Sequence, residues 1–393
     1  MAHERDALIT GIGIVSCLGS GAEAHWEALN AFTPVLDTGS FAPFVVHPLA
    51  PLDLDTQIPK RGDQRQMEAW QRIGTYAAGL ALEAAGAKGN ADLLGRMDMI
   101  VAAGGGERDY AVDTTILSGY PKAANPGAYL NEHLQGDLRP TLFLAQLSNL
   151  LAGNISIVHG VIGSSRTFMG EEASGADAVR IACARIAAGQ GEIMLVGGSY
   201  NAQRPDVLLH YEMGGLLHRS PFSPVWARQA SGGGMILGSV GCFLVIESRA
   251  HATERGATAF AHIAAIRTER CRRQPGEATA NARAQFDAVA AHYDPVAAAV
   301  ISGASGAAAP TQEEAAFLSQ LGRPVRATAT ALGHSLEPSF PANLALAALA
   351  VQHGRLFPPL ETGEQTMTAP LRQVLVTSWG HWRGEALALA VPA

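Results

Sequence analysis

The stretch MGEEASGADA, residues 169–178, decides how this chain folds. It closes one predicted strand with a glycine turn and leads into the alanine-rich segment AVRIACARIAAGQG, residues 178–191. In that segment Val179, Cys183 and Ile186 recur at helical spacing. The apolar run IMLVGG that follows predicts a short buried strand. The sequence therefore predicts a strand, a sharp turn and a helix in immediate succession.

Two acidic residues, Glu171 and Glu172, stand at this predicted turn. A helix N-terminus directs backbone N–H groups at a site and favours negative charge there. Many enzymes place a nucleophile at such a position, whereas this chain has a carboxylate. Two interpretations of Glu172 follow: a replaced nucleophile facing a site, or a surface carboxylate that caps the helix. Glu171 is interpreted as a local cap or as the buried partner of a cation.

Composition limits the class of protein. The chain has 393 residues, enough for a large core and two or three domains, and its 48% hydrophobic content suits packed α/β layers. A net charge of −7 without a basic run argues against nucleic acid as a partner. We expect no membrane span, because the apolar runs fall short of roughly 20 residues, and no signal peptide. Four scattered cysteines without metal-ligand spacing predict free thiols in the cytoplasm.

Buried runs, glycine turns and helical periodicity predict two halves, 1–240 and 241–393, with the same order of elements. The predicted elements of the first half are a strand at 7–19, a long helix at 64–87, a strand at 97–106 and a helix at 144–160 that hands over to a strand. Residues 107–140 are predicted to be loops with short helices, and Glu107, Arg108 and Asp109 are interpreted as a solvated charged loop. The predicted elements of the second half are strands at 242–248, 260–268 and 297–305, helices near ANARAQFDAVAAH and TQEEAAFLSQLG, a strand at VRATA, a glycine elbow with a hydrophobic helix at 333–354, and strands at QVLVTSWG and EALALAV.

Four segments carry a resemblance to a known family: ALITGIGIVSCLGSGAEAHWEAL, LSNLLAGNISIVHGVIGSS, GCFLVIESRAHATERGA and GHSLEPSFPANLALAALAV. Together they resemble the β-ketoacyl-acyl-carrier-protein synthases of the thiolase superfamily, over nearly the whole chain. The resemblance implies an α/β, thiolase-like, five-layer αβαβα fold made of two duplicated halves. It also implies a dimer assembled across the central sheets.

The nucleophile of that family is absent at the matching position. The resemblance implies a cysteine at the elbow, about 26 residues before the glycine pair that ends the next strand. Counting back from Gly197 and Gly198 reaches Glu172. A carboxylate cannot replace the thiolate, which is the strong nucleophile and the acyl carrier. Cys183 lies about three helical turns further on, in the predicted helix body.

Two further catalytic groups of the family are missing as well. The first family histidine falls on Gly303, or on Ser302 if the register slips, and the family lysine falls on Ala329. The second family histidine is retained as His334. His334 is interpreted either as a remnant of the site or as a core histidine retained by packing. We treat Glu172, Gly303, Ala329 and His334 as vestigial active-site positions.

The late loop that gates the pocket in the family reads Gly380, His381, Trp382 and Arg383 here. Two glycine positions therefore carry large side chains. Without the conformational freedom of glycine, we expect this loop not to approach the site as it does in active members. Trp382 and Arg383 are alternatively surface residues of a reshaped loop.

These departures imply a non-catalytic homologue similar to the chain length factors of type II polyketide, aryl-polyene and fatty-acid-like systems. The implied partners are a Cys-containing ketosynthase, in a heterodimer, and an acyl carrier protein. No bound cofactor and no metal are expected; the partner would handle acyl chains linked to phosphopantetheine. Two alternatives stay open: a malonyl-carrier-protein decarboxylase, and an active β-ketoacyl synthase (an acyltransferase) whose nucleophile lies elsewhere.

A carboxylate buried at the elbow requires a partner, because desolvation of an ion costs several kcal/mol. We expect Glu172 within about 4 Å of His334, Arg383 or Arg166, or bonded to backbone N–H groups.

Overall fold

A computed structural model describes residues 3–137, 143–219 and 221–393 of the chain. Its strands are β1 (Ala7–Ser16), β2 (Gly19–Ser20), β3 (Val46–His47), β4 (Asp98–Ala102), β5 (Ser165–Phe168), β6 (Ile193–Tyr200), β7 (Leu237–Gly238), β8 (Val240–Ser248), β9 (Ala261–Glu269), β10 (Ala298–Ser302), β11 (Val325–Ala327), β12 (Gln373–Trp379) and β13 (Glu385–Val391).

The α-helices are α1 (Ala22–Asn30), α2 (Arg61–Gln66), α3 (Ala69–Ala84), α4 (Ala91–Arg96), α5 (Tyr110–Gly119), α6 (Pro126–Gly136), α7 (Leu150–His159), α8 (Glu171–Ala187), α9 (Pro205–Met213), α10 (Val225–Arg228), α11 (Arg249–Glu254), α12 (Glu277–Asp287), α13 (Ala308–Leu321), α14 (Ala329–Leu332) and α15 (Ser339–Gln352). None of the described helices combines the length and the apolar character needed to cross a bilayer.

The main sheet of the described residues consists of two half-sheets with identical topology. The first has the strand order β5-β4-β6-β8-β1 and the second has the order β11-β10-β12-β13-β9. In each half-sheet the first two pairings are parallel and the last two are antiparallel. The matching order and direction confirm the predicted duplication. The half-sheets join where Leu8 of β1 pairs with His262 of β9.

Five layers stack through the molecule. Helix α3 packs on the outer face of the first half-sheet, and α12 and α13 pack on the outer face of the second. Helices α8 and α15 lie between the two half-sheets and contact each other. Every residue of α15 from Phe340 to Val351 is buried, as expected for a helix enclosed on both sides. The αβαβα arrangement agrees with the predicted fold.

Each half contains an elbow before its central helix. In the first, β5 ends at Phe168 and Glu171 begins α8 in the left-handed region, with φ 58°. In the second, Leu336 has φ 55° shortly before α15 begins. Non-glycine residues rarely adopt this conformation, and it concentrates at functional sites. We call these turns the first elbow and the second elbow.

Two predictions about local structure are wrong in detail. The helix predicted at 64–87 is two helices, α2 and α3, because Glu68 and Gln71 form a capping box that starts α3. No strand follows within 144–160: α7 continues to His159, and β5 begins only at Ser165. The prediction of loops with short helices at 107–140 is confirmed as far as residue 137, where α5 and α6 alternate with irregular segments; residues 138–140 lie outside the described residues.

Glu107 is also not part of a solvated loop. It is buried, and one carboxylate oxygen accepts the backbone N–H of Trp70 at 2.9 Å and the side-chain amide of Asn201 at 3.0 Å. Arg108 is exposed and Asp109 is half-buried. The predicted boundary at 240/241 stays a prediction; β8 spans Val240–Ser248 and pairs inside the first half-sheet.

Candidate functional site

The first elbow buries the carboxylate of Glu172, which is 2% exposed. Its Oε1 accepts a hydrogen bond from Nε2 of His334 at 2.7 Å and one from Nδ1 of His381 at 3.0 Å. The backbone N–H of His381 donates to the same oxygen at 3.2 Å. The prediction that His334, Arg383, Arg166 or backbone N–H groups neutralise Glu172 is confirmed through His334, and the surface-cap interpretation is wrong.

These contacts keep Glu172 ionised. Burial opposes ionisation, but the hydrogen bonds from His334 and His381 outweigh burial and hold the pKa of Glu172 well below its usual range. Burial would lower the pKa of His381, but Glu172 and Glu171 raise it above the ordinary value. The elbow therefore holds a carboxylate–imidazolium pair whose charges neutralise each other.

The loop of Gly380, His381, Trp382 and Arg383 contacts the first elbow through His381, and a difference from its approach in active members stays a prediction. His381 is buried against Glu172, whereas Trp382 and Arg383 are exposed. The large side chains are no obstacle, because they lie in solvent and Gly384 takes the left-handed turn with φ 90°.

The other predicted cations are not partners of Glu172 among its described contacts. Arg166 is exposed on β5 and Arg383 is exposed in the loop. His381 is the partner that the sequence analysis missed. A signal was available, because β12 contains no titratable side chain and His381 is the first one after it, two residues past the end of the strand.

The three remaining vestigial positions lie together but leave no room for the missing groups. Gly303, Ala329 and His334 line a cavity of only about 10 Å³, about the space of one water molecule. A Cβ at Gly303 would lie 2.6 Å from the carbonyl oxygen of Thr377 in β12. No side chain fits at residue 303 unless the backbone of β12 moves.

A larger cavity of about 470 Å³ opens in front of the first elbow. Its lining includes Glu171 of the first elbow, Glu337 of the second elbow, and the aromatic residues Trp70, Tyr200 and Tyr211. Glu172 is not part of this lining. The first elbow therefore presents Glu171 to the cavity and turns Glu172 away from it.

The cysteines offer no activated thiolate. All four lie within the described residues and none is in a disulfide. Burial raises the pKa of both Cys17 and Cys183 to about 12, and it also raises the pKa of Cys242 and Cys271. A catalytic thiol needs a lowered pKa, so these environments suit inert packed thiols.

One cluster in the described ranges has the residue types of a metal site. Single ligand atoms of Glu171, Glu172 and His381 lie within 4.8 Å of one another. Nδ1 of His381 already bonds Glu172, and Nε2 lies 3.5 Å from Oε1 of Glu171. Ion pairing accounts for this proximity, so we assign no metal to the cluster.

Solved structures share this fold over its full length. The ishigamide ketosynthase/chain length factor superposes with a TM-score of 0.80 at 20% identity, and the two chains cover each other completely. A β-ketoacyl synthase from Burkholderia phymatum STM815 gives a TM-score of 0.78 at 18% identity, over 99% of this chain and 100% of that chain. AntDE:AntF, a type II polyketide synthase acyl-carrier protein in complex with its ketosynthase, gives 0.75 at 18% identity with complete coverage of both chains.

Sequence relatives point the same way. The chain is 28% identical to the oxytetracycline polyketide putative β-ketoacyl synthase 1 of Streptomyces rimosus, over 90% of this chain and 86% of that protein. It is 24% identical to the 3-oxoacyl-[acyl-carrier-protein] synthase 2 of Vibrio cholerae, over 66% of this chain and only 62% of that protein's length. Residues 49–252, more than half of the chain, match the family model of the β-ketoacyl synthase N-terminal domain. The chain therefore belongs to the β-ketoacyl synthase family.

Proposed function

We propose that this protein is a non-catalytic β-ketoacyl synthase homologue of the chain-length-factor type, which pairs with a Cys-containing ketosynthase. The observation that carries the proposal is the closed first elbow. A nucleophile there must reach an acyl thioester, but Glu172 is buried, bonded to two imidazoles and outside the lining of the adjacent cavity.

The positions of the other missing groups support the same function. The about 10 Å³ cavity between Gly303 and Ala329 has no space for an imidazole or an ammonium side chain. Decarboxylation of malonyl thioesters and condensation both lean on those groups in the family that the sequence resembles. Neither alternative activity is favoured by a contact among the described residues.

A surface suited to a partner lies around the open edge of the first half-sheet. Strand β5 is the edge strand there, and Ser165 and Arg166 are exposed. Ten of the thirteen exposed large hydrophobic side chains among the described residues lie between Leu117 and Met213, the region that contains β5. Ile157 of α7 and Ile162 in the segment before β5 are the exposed apolar residues that most closely precede this edge strand, and we infer that they contribute to the partner surface.

The partner class is inferred from similar proteins. The names of the ishigamide and AntDE:AntF structures include a chain length factor and an acyl-carrier protein, respectively. We infer a cytoplasmic heterodimer with a ketosynthase that elongates polyketide, aryl-polyene or fatty-acid-like chains. This chain would bind no cofactor, and it would meet the phosphopantetheine-linked acyl chain of the carrier protein through the partner.

Co-expression with a Cys-containing type II ketosynthase, followed by size-exclusion chromatography with mass measurement, tests the proposal. We expect a one-to-one complex. Replacing both Ile157 and Ile162, which are exposed near β5, with arginine should weaken the complex at least about tenfold. Val296→Arg, on an equally exposed apolar side chain outside this region, is the matched control and should bind normally. A chain that stays monomeric or pairs only with itself would contradict the proposal.

A further inference from the structure

The cavity in front of the first elbow contains two buried polar side chains without a partner. Glu337 is 4% exposed and its Oε2 has no hydrogen-bond partner among the described residues. Tyr200 is 8% exposed and its hydroxyl likewise has none within that part of the chain. Buried polar atoms are nearly always bonded, so an unpaired acceptor and an unpaired hydroxyl on one cavity indicate a missing ligand.

The arginines that line this cavity already have partners. Arg204 forms two hydrogen bonds with Asp206, at 3.0 and 2.5 Å, and Arg108 bonds Asp113 at 2.6 and 2.8 Å. Neither guanidinium group is therefore available to neutralise Glu337. His210 is the remaining basic residue of the described lining.

The second acidic group of the cavity is also under-neutralised. Oε1 of Glu171 lies 3.5 Å from Nε2 of His381, beyond the length of a good hydrogen bond. The imidazole of His381 instead bonds Glu172 through Nδ1. Glu171 and Glu337 thus face one cavity, and neither side chain accepts a hydrogen bond from a cationic side chain among the described residues.

We propose that this cavity binds an organic ammonium group between the carboxylates of Glu171 and Glu337. An ammonium group supplies three donors and one positive charge, which the unpaired acceptors lack. Trp70, Tyr200 and Tyr211 contribute aromatic rings to the lining, and aromatic rings together with carboxylates are typical of ammonium recognition. The volume of about 470 Å³ suits a small organic molecule. The site does not depend on the proposed role as a partner subunit.

The ionisation of the two acids agrees with this assignment. Burial raises the pKa of Glu337 to about 8; the nearby carboxylates of Glu172 and Glu171 add to the shift, and His381 opposes it. Burial also raises the pKa of Glu171, against the charges of His381, Arg383 and His210. Near pH 7 the empty site therefore holds Glu337 in its protonated form. A bound cation would favour the ionised form and displace that proton.

Calorimetric titration with n-butylammonium chloride tests the proposal, with n-butanol as the neutral probe of the same shape. Near pH 7, in two buffers of different ionisation enthalpy, we expect butylammonium to bind and to release up to about one proton per molecule. Glu337→Gln should weaken binding at least about tenfold and abolish proton release. Glu254→Gln, on an exposed glutamate of α11, is the matched control and should change neither. Thermal unfolding of each variant checks that it is folded.

Two further measurements test the role of Tyr200 and the source of the ammonium group. Tyr200→Phe should weaken butylammonium binding severalfold while proton release persists. An ω-amino acyl thioester that binds more tightly than butylammonium would identify an acyl chain as the source of the ammonium group, and the reverse order would identify a free amine. Equal binding of butanol, or no binding of either amine, would overturn the proposal, and neither result would bear on pairing with a ketosynthase.

Discussion

The two elbows hold the same residue type in opposite electrostatic states. At the first elbow Glu172 is bonded by two imidazoles, and its pKa lies well below the usual range. At the second elbow Glu337 is as deeply buried but its Oε2 has no partner in the described part of the chain, and its pKa is raised to about 8. Burial acts on both carboxyl groups alike, so the difference comes from the neighbours.

The positions of two imidazoles account for this difference between the elbows. The loop after β12 brings His381 to Glu172, and the start of the second elbow brings His334, so both available imidazoles serve the first elbow. The second elbow is left with a protonated acid facing a cavity. Glu172 of the first elbow is consequently enclosed and paired with imidazoles, whereas Glu337 of the second elbow faces the cavity and has no bonded cation among the described residues.

The largest expected effect comes from removing an imidazole from the first elbow. His334→Ala should lower the free energy of unfolding by about 3 kcal/mol, because it strips a buried ionised carboxylate of its nearest partner. In a Glu172→Gln background the same change should cost only about 1 kcal/mol, since no charge is left unpaired. Denaturant unfolding measures both values. His292→Ala, on an exposed histidine, is the control; an equally small loss for His334→Ala would show that the pair does not stabilise the fold.

At the second elbow, Glu337→Gln should raise the free energy of unfolding at alkaline pH. The folded state binds the Glu337 proton more tightly than the unfolded state, so the free energy of unfolding falls as pH rises from about 4.5 towards about 8. Glu337→Gln removes this loss. Relative to wild type, the variant should gain on the order of a few kcal/mol between those two pH values. Parallel pH curves for the two proteins would show that Glu337 is not a buried neutral acid.

A smaller effect distinguishes the contribution of the Glu172 carboxylate from that of the His381 imidazole. Glu172→Ala should lower the free energy of unfolding by about 1–3 kcal/mol near pH 6, because two buried donors lose their acceptor. The loss should shrink below the ordinary glutamate pKa of 4.5, as the lowered pKa of Glu172 is approached. It should also shrink above 6.5, the ordinary histidine value, as His381 deprotonates through its raised pKa. A difference between variant and wild type that is flat from acid to alkaline pH would contradict the ion pair.

No gain in turnover is expected when the family's nucleophile is restored. Glu172→Cys should not condense acyl and malonyl thioesters, because Gly303 cannot accept a side chain without moving β12 and Ala329 carries no amine. The assay follows the carbon dioxide lost from the malonyl thioester and the thiol released from the acyl thioester. Turnover above that of heat-treated protein would mean that the remaining groups suffice.

Much of the frame could be predicted from the sequence, because it depends on local patterns. Buried apolar runs and the glycine turn at Gly170 are visible in single segments, and the repeated order of elements indicated the duplication. The break between α2 and α3 was missed because helix propensity continues through it. The spacing of Glu68 and Gln71 was the readable signal of a new helix start.

Site residues could be predicted only where a sequence motif around the residue identified its position. Glu172 and His334 followed from the motifs around them. The sequence marked His381 as a titratable residue after a buried strand, but its partner Glu172 lies 209 positions away, so no local pattern names that partner. Glu337 and Tyr200 were missed for a related reason: an unpaired buried atom is a property of its three-dimensional surroundings, not of the residue type.

The most direct test of the central claim uses a heterodimer in which the partner ketosynthase has its nucleophilic cysteine replaced by alanine. Any condensation by that complex would have to come from this chain. With the unaltered partner we expect full condensing activity, and with the altered partner we expect none above background. Condensation that persists with the altered partner, and disappears when Glu172 is replaced, would show that the first elbow is catalytic and would contradict the account.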